Sequence, residues 1–461
     1  MRVLFVWPAV ENAELRNFLP LGFGYLAANL PKTHQTRLWD GVLERRRDNH
    51  GILEETRRFK PDLIGLSIWN FNLDAVRNVV ALVKRHFPDL PVVVGGPSVS
   101  GYRDRILSEI SADYAIAGEG EKPFARLVEL FAERVLTADN LKQIHGLIYK
   151  DENGRAVCNP PRWEDLHDLK YCDYSFVDLN GYLRSGYRYG LHPHARRTAP
   201  ILTTRGCPFP CEYCSAREIN GRRVRTRPVE SVIAEVRELH ERFQIDGFNI
   251  IDDNFTFHTD YAKEVCRAIL KLGLKNVSFC CPNGIRMEYL DEELVLLMKQ
   301  AGWKSLFIAP ESGSERTLEK MRKRINLGVV KEKLKMIKKA DLKVFGFFMI
   351  GYPGETVSDI KRTIDFACRN DFDMVVFTCF QPLVGTPVYD KLLATGEIDK
   401  PPEGADYYAI SYAPRSLTVT QLKTWRFWGL LRFYTSSLAR LRFALSNYSV
   451  RSVFAFLRKI V

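Results

Sequence analysis

With 461 residues, 46% of them hydrophobic and 26% charged, the chain has a globular composition and is too long for one ordinary core, so two or three domains are expected. No apolar run approaches the roughly 18 to 20 residues of a membrane span, and MRVLFVWPAVENAELRN reads as a first β-strand rather than a signal peptide. A cytoplasmic, reducing compartment is therefore expected, with disulfides an unsuitable use for the ten cysteines. The net charge of +12 is local: residues 407 to 461 hold nine basic residues and no Asp or Glu, leaving +3 for the first 406. That distribution argues against nucleic acid as a partner of the main body.

In chain order, residues 3 to 7 (VLFVW) form a β-type run and LGFGYLAANL a helical one. DLIGLSIWN, VVVGGPSVS and DYAIAGEGE are three further strand-then-glycine units. Between two of them, residues 73 to 88 place apolar side chains at 76, 79, 80 and 83, a helical spacing. Alternating strands and helices predict a parallel sheet with ligands beyond the carboxyl ends of its strands. The ends at Gly95-Gly96-Pro97-Ser98 and Gly118-Glu119-Gly120 are where backbone could approach a ligand closely. Gly22, Gly24 and Ala27 match a G-x-G-x-x-A dinucleotide fingerprint, but about fourteen residues separate them from the preceding strand, whereas the fingerprint belongs at the tight strand-to-helix turn itself. A helix start is the better reading.

The middle of the chain holds RGCPFPCEYCSA, with Cys207, Cys211 and Cys214 within eight positions. Gly206, Pro208 and Pro210 force a loop there, which suits neither a helix nor a core strand. A zinc site would want a fourth ligand at knuckle spacing; the nearest candidates, His192 and His194, lie upstream in a Pro-containing stretch. Three thiolates on an iron–sulfur cubane would leave one iron without a protein ligand, an opening for a substrate to coordinate. The other seven cysteines (158, 172, 266, 280, 281, 368 and 379) are scattered and do not support a second cluster.

RGCPFPCEYC, with Tyr213 just before the last cysteine, resembles the cluster loop of the radical S-adenosylmethionine superfamily. GFNIIDDNF (247 to 255), NGIR (283 to 286), APESGSE (309 to 315) and FFMIGYPGET (347 to 356) follow in the order seen in that superfamily. The resemblance implies that Cys207, Cys211 and Cys214 carry a [4Fe-4S] cluster whose open iron chelates S-adenosylmethionine. It further implies that Tyr213, Asp253, Asn254, Glu311 and Ser312 contact that cofactor, and that the turn from Gly351 to Glu355 lies near its adenine. PLGFGYLAANL, DLIGLSIWN, VVVGGPSVS and AIAGEGEKPF resemble the cobalamin-binding domain of cobalamin-dependent members, implicating Ser67, Gly95, Gly96, Pro97, Gly118, Glu119 and Gly120. Together the resemblance covers roughly residues 1 to 395. Two departures are visible: WDGVLERR has no His to ligate cobalt from below, so cobalamin would be held base-off, and Gly-Gly-Pro-Ser replaces the more usual Gly-Gly-Pro-His. The absence of cysteine before Cys158 argues against the methylthiotransferase branch.

The expected fold is α/β: a Rossmann-like cobalamin-binding domain (1–135), a connecting segment (136–195), a partial (β/α)6 radical barrel (196–395) and a basic, helical C-terminal region (396–461). The function implied is C-methylation of an unactivated carbon in a small-molecule or lipid-like substrate, with a flavodoxin- or ferredoxin-type protein as one-electron reductant. A ring-forming cyclase similar to the anaerobic cyclase of chlorophyll synthesis is the alternative, and a non-catalytic cobalamin or iron–sulfur sensor a more distant one. In the tail, residues 427, 430, 431, 434, 438, 441 and 445 fall on one helical stripe, with Arg426, Arg432 and Arg440 opposite. Two roles follow from that pattern, a helix docked on the barrel or a peripheral contact with anionic membrane.

Overall fold

The structure, a computed structural model, describes residues 1–10, 18–44, 49–192, 194–400 and 409–447, with side chains to residue 442. The chain divides into two compact units, Met1–Arg188 with Ser215–Arg222, and Tyr189–Cys214 with Arg223–Val461.

The first unit is built on one seven-stranded sheet of order β2-β1-β3-β4-β5-β6-β7. Its strands are β1 (Arg2–Trp7), β2 (Gln35–Asp40), β3 (Leu63–Ser67), β4 (Val92–Gly95), β5 (Tyr114–Ile116), β6 (Leu147–Lys150) and β7 (Ala156–Cys158). Strands β1 to β5 are parallel, with Val3 opposite Thr36 on one side and Leu63 on the other. The run from Val3 to Trp7 is buried throughout, as a strand covered on both faces should be. The helix Leu73–His86 buries Leu73, Val76, Val79, Val80 and Val83, the periodicity seen in the sequence. The sheet does not stop near residue 135: β6 and β7 add antiparallel to its edge.

The fingerprint-like glycines have a packing explanation. Both lie in the helix Leu21–Asn29; a Cβ on Gly24 would sit 2.3 Å from Cys172 Sγ, while one on Gly22 would meet no atom of the described residues within 4 Å. Gly24 is needed for close approach of the 172–177 segment, not for a phosphate.

The second unit carries six parallel strands in two groups of three, β8 (Thr198–Ile201), β11 (Gly247–Ile250) and β12 (Ser278–Cys280), then β13 (Ser305–Glu311), β14 (Lys343–Ile350) and β15 (Met374–Cys379). Single bridges, Phe279 to Trp303 and Ile285 to Ile308, join the groups, which makes the partial six-stranded barrel. A short antiparallel pair, β9 (Thr204–Arg205) and β10 (Arg225–Thr226), flanks the cysteine loop.

Two C-terminal helices, Val419–Thr435 and Leu438–Asn447, correct the single stripe read from the sequence. The chain breaks at Ser436 and Ser437, and the buried face of the first helix is Leu422, Arg426, Gly429, Leu430 and Phe433. Gly429 sits where a Cβ would lie 3.2 Å from Ile364 and Phe377, so this helix docks on β15 and the helix Val357–Arg369. Arg426 is therefore not on a solvated side; it is 2% exposed. Arg432 pairs with Asp365. Arg440 donates to the carbonyls of Cys368, Asn370 and Phe372 and stacks 4.2 Å over Phe433, so it satisfies carbonyls at and beyond the end of that neighbouring helix. The side chains of Phe443 and Leu445, and all of Arg451, Arg458 and Lys459, lie outside the described residues.

Candidate cofactor sites

The cysteine loop follows β9 and is held from several directions. Asp252, fully sequestered, accepts from the backbone and hydroxyls of Thr203 and Thr204; burial still pushes its carboxyl up to about 6 despite those donors. Asp253 accepts from the Gly206 amide at 3.1 Å. Glu212 donates its amide to the Met321 carbonyl at 3.0 Å, and its carboxylate pairs with Lys391 and Arg322. Arg286 lies 3.5 Å over the Phe209 ring, with one guanidinium nitrogen 3.9 Å from Cys211 Sγ. The same side chain binds the carbonyls of Lys323 and Arg324. A loop with little secondary structure of its own is thus fixed by ion pairs and backbone bonds.

Cys207, Cys211 and Cys214 form no disulfide and are partly exposed. Burial pushes the Cys207 thiol up, and the nearby Arg286 charge works against that. Among the described residues no three His, Cys, Asp or Glu side chains converge on a single ion; a cubane makes no such demand, because each thiolate binds its own iron. The donor set fits a cluster with one open iron.

Around that loop, Glu311 ends β13 with φ of 68°, a left-handed conformation uncommon outside glycine. Its carboxylate accepts from Tyr213 Oη at 2.9 Å and from Lys323 Nζ at 3.1 Å, and Lys323 also donates to Tyr213 Oη at 3.1 Å. Tyr213 is driven well up by burial and by the Glu311 charge. Asn254 is buried, and its side-chain amide nitrogen has no partner among the described residues. A buried amide donor of that kind needs an acceptor, so it fits a polar cofactor such as S-adenosylmethionine. Ser312 is turned to structure, its hydroxyl bonded to Thr363 and to the Ser314 amide. Glu355 accepts from the amides of Gly351 and Tyr352, folding the 351–355 turn onto itself, and Gly351 has φ of 81°. Tyr352 joins Met321, Phe380 and Tyr412 in an apolar cluster against which Tyr213 and Met349 pack.

In the first unit the glycine-rich residues gather at the carboxyl ends of β3, β4 and β5. The order β2-β1-β3-β4-β5 places a topological switch between β1 and β3, where such sheets bind ligands. Ser67 ends β3, and Gly96 turns with φ of 96° so that a Cβ would lie 2.7 Å from Ser67 Oγ and 2.8 Å from the Ile68 carbonyl. Gly95 leaves its Cβ direction open to 3.9 Å, and Pro97 starts the helix Pro97–Tyr102. Gly118 (φ 79°) donates to Ser100 Oγ at 2.9 Å. Glu119 is buried and accepts from the Glu164 amide, and Gly120 precedes the helix Glu121–Glu133. Asp40, at the head of the WDGVLERR stretch, accepts from the Val42 and Leu43 amides and from Tyr182 Oη. Burial pushes its carboxyl up to about 6. Trp7, at the end of β1, and Phe18, Trp69 and Phe71 form an aromatic group at and past the ends of β1 and β3. The open side of Gly95, beside an aromatic wall, fits a large planar cofactor.

Sequence reasoning did not single out Lys323, Asp252 or that aromatic group. Lys323 sits in the undistinguished run MRKR, and the aromatics are spread over 65 positions. Arg286 ends the run NGIR, but nothing in that run shows which cysteine it faces.

Comparison with known proteins agrees with this geometry. Residues 201–367 match the radical SAM superfamily, and residues 16–128 match the B12 binding domain. An uncharacterized methyltransferase of Pyrococcus horikoshii is 30% identical over 401 residues, covering 86% of this chain and 83% of that protein. An anaerobic magnesium-protoporphyrin IX monomethyl ester cyclase of Rubrivivax gelatinosus is 24% identical, covering 85% of this chain and 70% of the cyclase. The solved structure of the radical S-adenosylmethionine methyltransferase TsrM from Kitasatospora setae, with cobalamin and a [4Fe-4S] cluster bound, superposes with a TM-score of 0.72 at 20% identity, covering 94% and 85% of the two chains; it shares this fold. No described helix is long and apolar enough to cross a membrane. The chain belongs to the cobalamin-binding radical S-adenosylmethionine enzymes, whose cofactors are a [4Fe-4S] cluster, S-adenosylmethionine and cobalamin.

Proposed function

We propose that this enzyme is a C-methyltransferase acting on an unactivated carbon. The observation that carries the proposal is its 30% identity to an uncharacterized methyltransferase over 83% of that protein's length. When bound, the cluster and S-adenosylmethionine supply a hydrogen-abstracting radical and cobalamin supplies the methyl group; the protein's share is binding, orientation and exclusion of water.

In this proposal Cys207, Cys211 and Cys214 hold the cluster, and Arg286 steadies their loop and offsets negative charge near Cys211. Asn254 and Glu311 orient S-adenosylmethionine, with Lys323 fixing the Glu311 carboxylate. Asp253 acts by holding the Gly206 end of the loop. The backbone at Gly95, Gly96 and Gly118, with Ser67, Pro97, Glu119 and Gly120, cradles cobalamin. Asp40 is committed to its own turn and Tyr182, so this residue would be held by the chain and not offered to cobalamin when that group is bound.

Anaerobic turnover with a flavodoxin- or ferredoxin-type reductant tests the assignment. Methylation releases 5′-deoxyadenosine and S-adenosylhomocysteine in comparable amounts. A cyclase would release the first without matching amounts of the second, and that ratio would overturn the proposal.

Membrane contact is a second part of the proposal. Among the described residues, Val419, Trp428, Leu431, Leu438 and Leu441 are large apolar side chains left exposed on the two C-terminal helices, in a stretch with no acidic residue. Such a surface suits the headgroup boundary of anionic lipid. The full chain should co-sediment with anionic vesicles at low salt, and a Trp428→Glu, Leu438→Glu double variant should not. Equal sedimentation of both, or none, would remove this part.

A further inference from the structure

The lumen of the barrel divides into two layers of different character. In the lower layer Cys280, Phe307, Phe345 and Met374 are at most 4% exposed. They pack against Leu191, from the segment before β8, Tyr434, from the first C-terminal helix, and Phe347 of β14. Asn249 completes this layer, bonding the Tyr189 carbonyl, His192 and Cys280. The floor is sealed and its polar groups are used.

One strand repeat higher, the burial pattern changes. Period-two alternation puts Ala309 after Phe307 on β13, Phe347 after Phe345 on β14, and Val376 after Met374 on β15, with Thr378 one further repeat along. All four are partly exposed, whereas the intervening residues of β14 and β15 are buried. Leu202 and Ile251, just past β8 and β11, are partly exposed as well. Gly284 borders this layer, since its Cβ position lies 3.8 Å from both Ala309 Cβ and Phe347 Cδ2.

The chemistry of the layer is one-sided. Of its six residues, five are apolar, and the sixth, Thr378, has its hydroxyl on the Phe348 carbonyl. At the rim, Tyr189 Oη bonds Asn283 Oδ1 at 3.0 Å, and Asn283 donates to the Ile251 carbonyl at 2.7 Å. The charged groups begin one repeat farther along the same strands or their extensions, with Asp253 after Ile251 and Glu311 after Ala309, about 6 to 7 Å away along the chain. An ionised group placed in the apolar layer would lose hydration without gaining a partner.

We propose that this upper layer receives an uncharged hydrocarbon part of the substrate, an aliphatic chain or fused-ring skeleton, beside the residues that hold S-adenosylmethionine. The inference rests on the methyltransferase reading and names its substrate class: the reacting carbon belongs to an apolar skeleton, not to an amino acid or a nucleotide.

The test uses the full-length holoenzyme without reductant and the neutral fluorophore N-phenyl-1-naphthylamine as probe. Saturable binding of about one equivalent is expected, weakened about tenfold or more by Ala309→Leu and by Val376→Phe. Tryptophan and cytidine monophosphate, both charged, should not displace the probe at a hundredfold excess, on the order of two decades of concentration. Cluster absorbance reports whether each variant has folded. Thr378→Val, nearly isosteric, covers the case where the larger side chains disturb the barrel: it should leave probe binding equal or tighter. Unchanged binding in both enlarged variants, loss of binding in Thr378→Val, or displacement by either charged competitor would overturn the proposal. Because no turnover is involved, these outcomes are independent of the product ratio that tests methyl transfer.

Discussion

Glu355 brings a carboxyl group into a turn where one oxygen accepts two amides and the other has no partner among the described residues. Burial outweighs those amides and pushes it up to about 8 from 4.5. A group raised in this way contributes stability that is fully present below its unfolded pKa and is lost as pH rises through the folded one. Glu355→Gln keeps an acceptor for the amides and removes the titration. Its melting temperature should therefore gain on the parent protein as pH rises from about 5 to 8. Parallel melting curves across that window would show that Glu355 does not titrate there. Nearby Asp359 behaves oppositely, held well below the carboxylate range by Arg316, Thr356 and Ser314 against the cost of burial. Arg286 is the other residue with a concentrated role. Replacing it with Gln forfeits the stacking on Phe209 and the bonds to the 323 and 324 carbonyls, a loss of about 2 to 4 kcal/mol. Denaturant unfolding and iron retained after mild chelation should both fall; unchanged values would mean that the loop is held by Asp253 and Glu212 alone.

Among the elements, the glycine turns separate conformational need from accident. Gly96 combines φ of 96° with backbone atoms 2.8 and 2.9 Å from where a Cβ would stand, so no rotamer change relieves the clash. Gly96→Ala should cost about 2 kcal/mol or more and abolish uptake of hydroxocobalamin, read by absorbance. Gly22→Ala meets open space within the helix Leu21–Asn29 and should be neutral or gain about 0.5 to 1 kcal/mol. Equal cobalamin uptake by the two variants would remove Gly96 from the proposed cradle. The C-terminal helix shows a similar distinction. Amphipathic spacing announced an apolar face, but the face that docks centres on Leu422, Gly429 and Phe433, and Arg426 is buried with it. Helical spacing says which residues share a side and not which side finds a partner; the deciding feature is Gly429, which lets the helix approach Ile364 and Phe377.

For the whole molecule, the two cofactor-binding regions fall in different compact units, and each draws its residues from its own strands. Changing Cys207, Cys211 or Cys214 to Ala should therefore remove the iron while leaving cobalamin uptake intact, with no histidine–cobalt signature in the spectrum. Retention of the full cluster by all three variants would refute the ligand assignment, and loss of both cofactors would show that the units load together. What could be read from the chain alone was what lies close along it: three thiols within eight residues, glycines at strand ends, and apolar runs with a period of two or 3.6. These are local because a loop, a turn or a strand is defined by neighbouring residues. The tertiary structure alone decided what meets across the sequence. Tyr213, Glu311 and Lys323 bond over separations of 98 and 110 residues, and Arg286 reaches Cys211 across 75. Alternation could mark the inward side of β13 to β15, but whether each layer was sealed or open depended on Leu191 and Tyr434, which come from outside the strands. Spacing carries no information about such contacts, because they are fixed by how the two groups of three strands close and by which segment then fills the space between them.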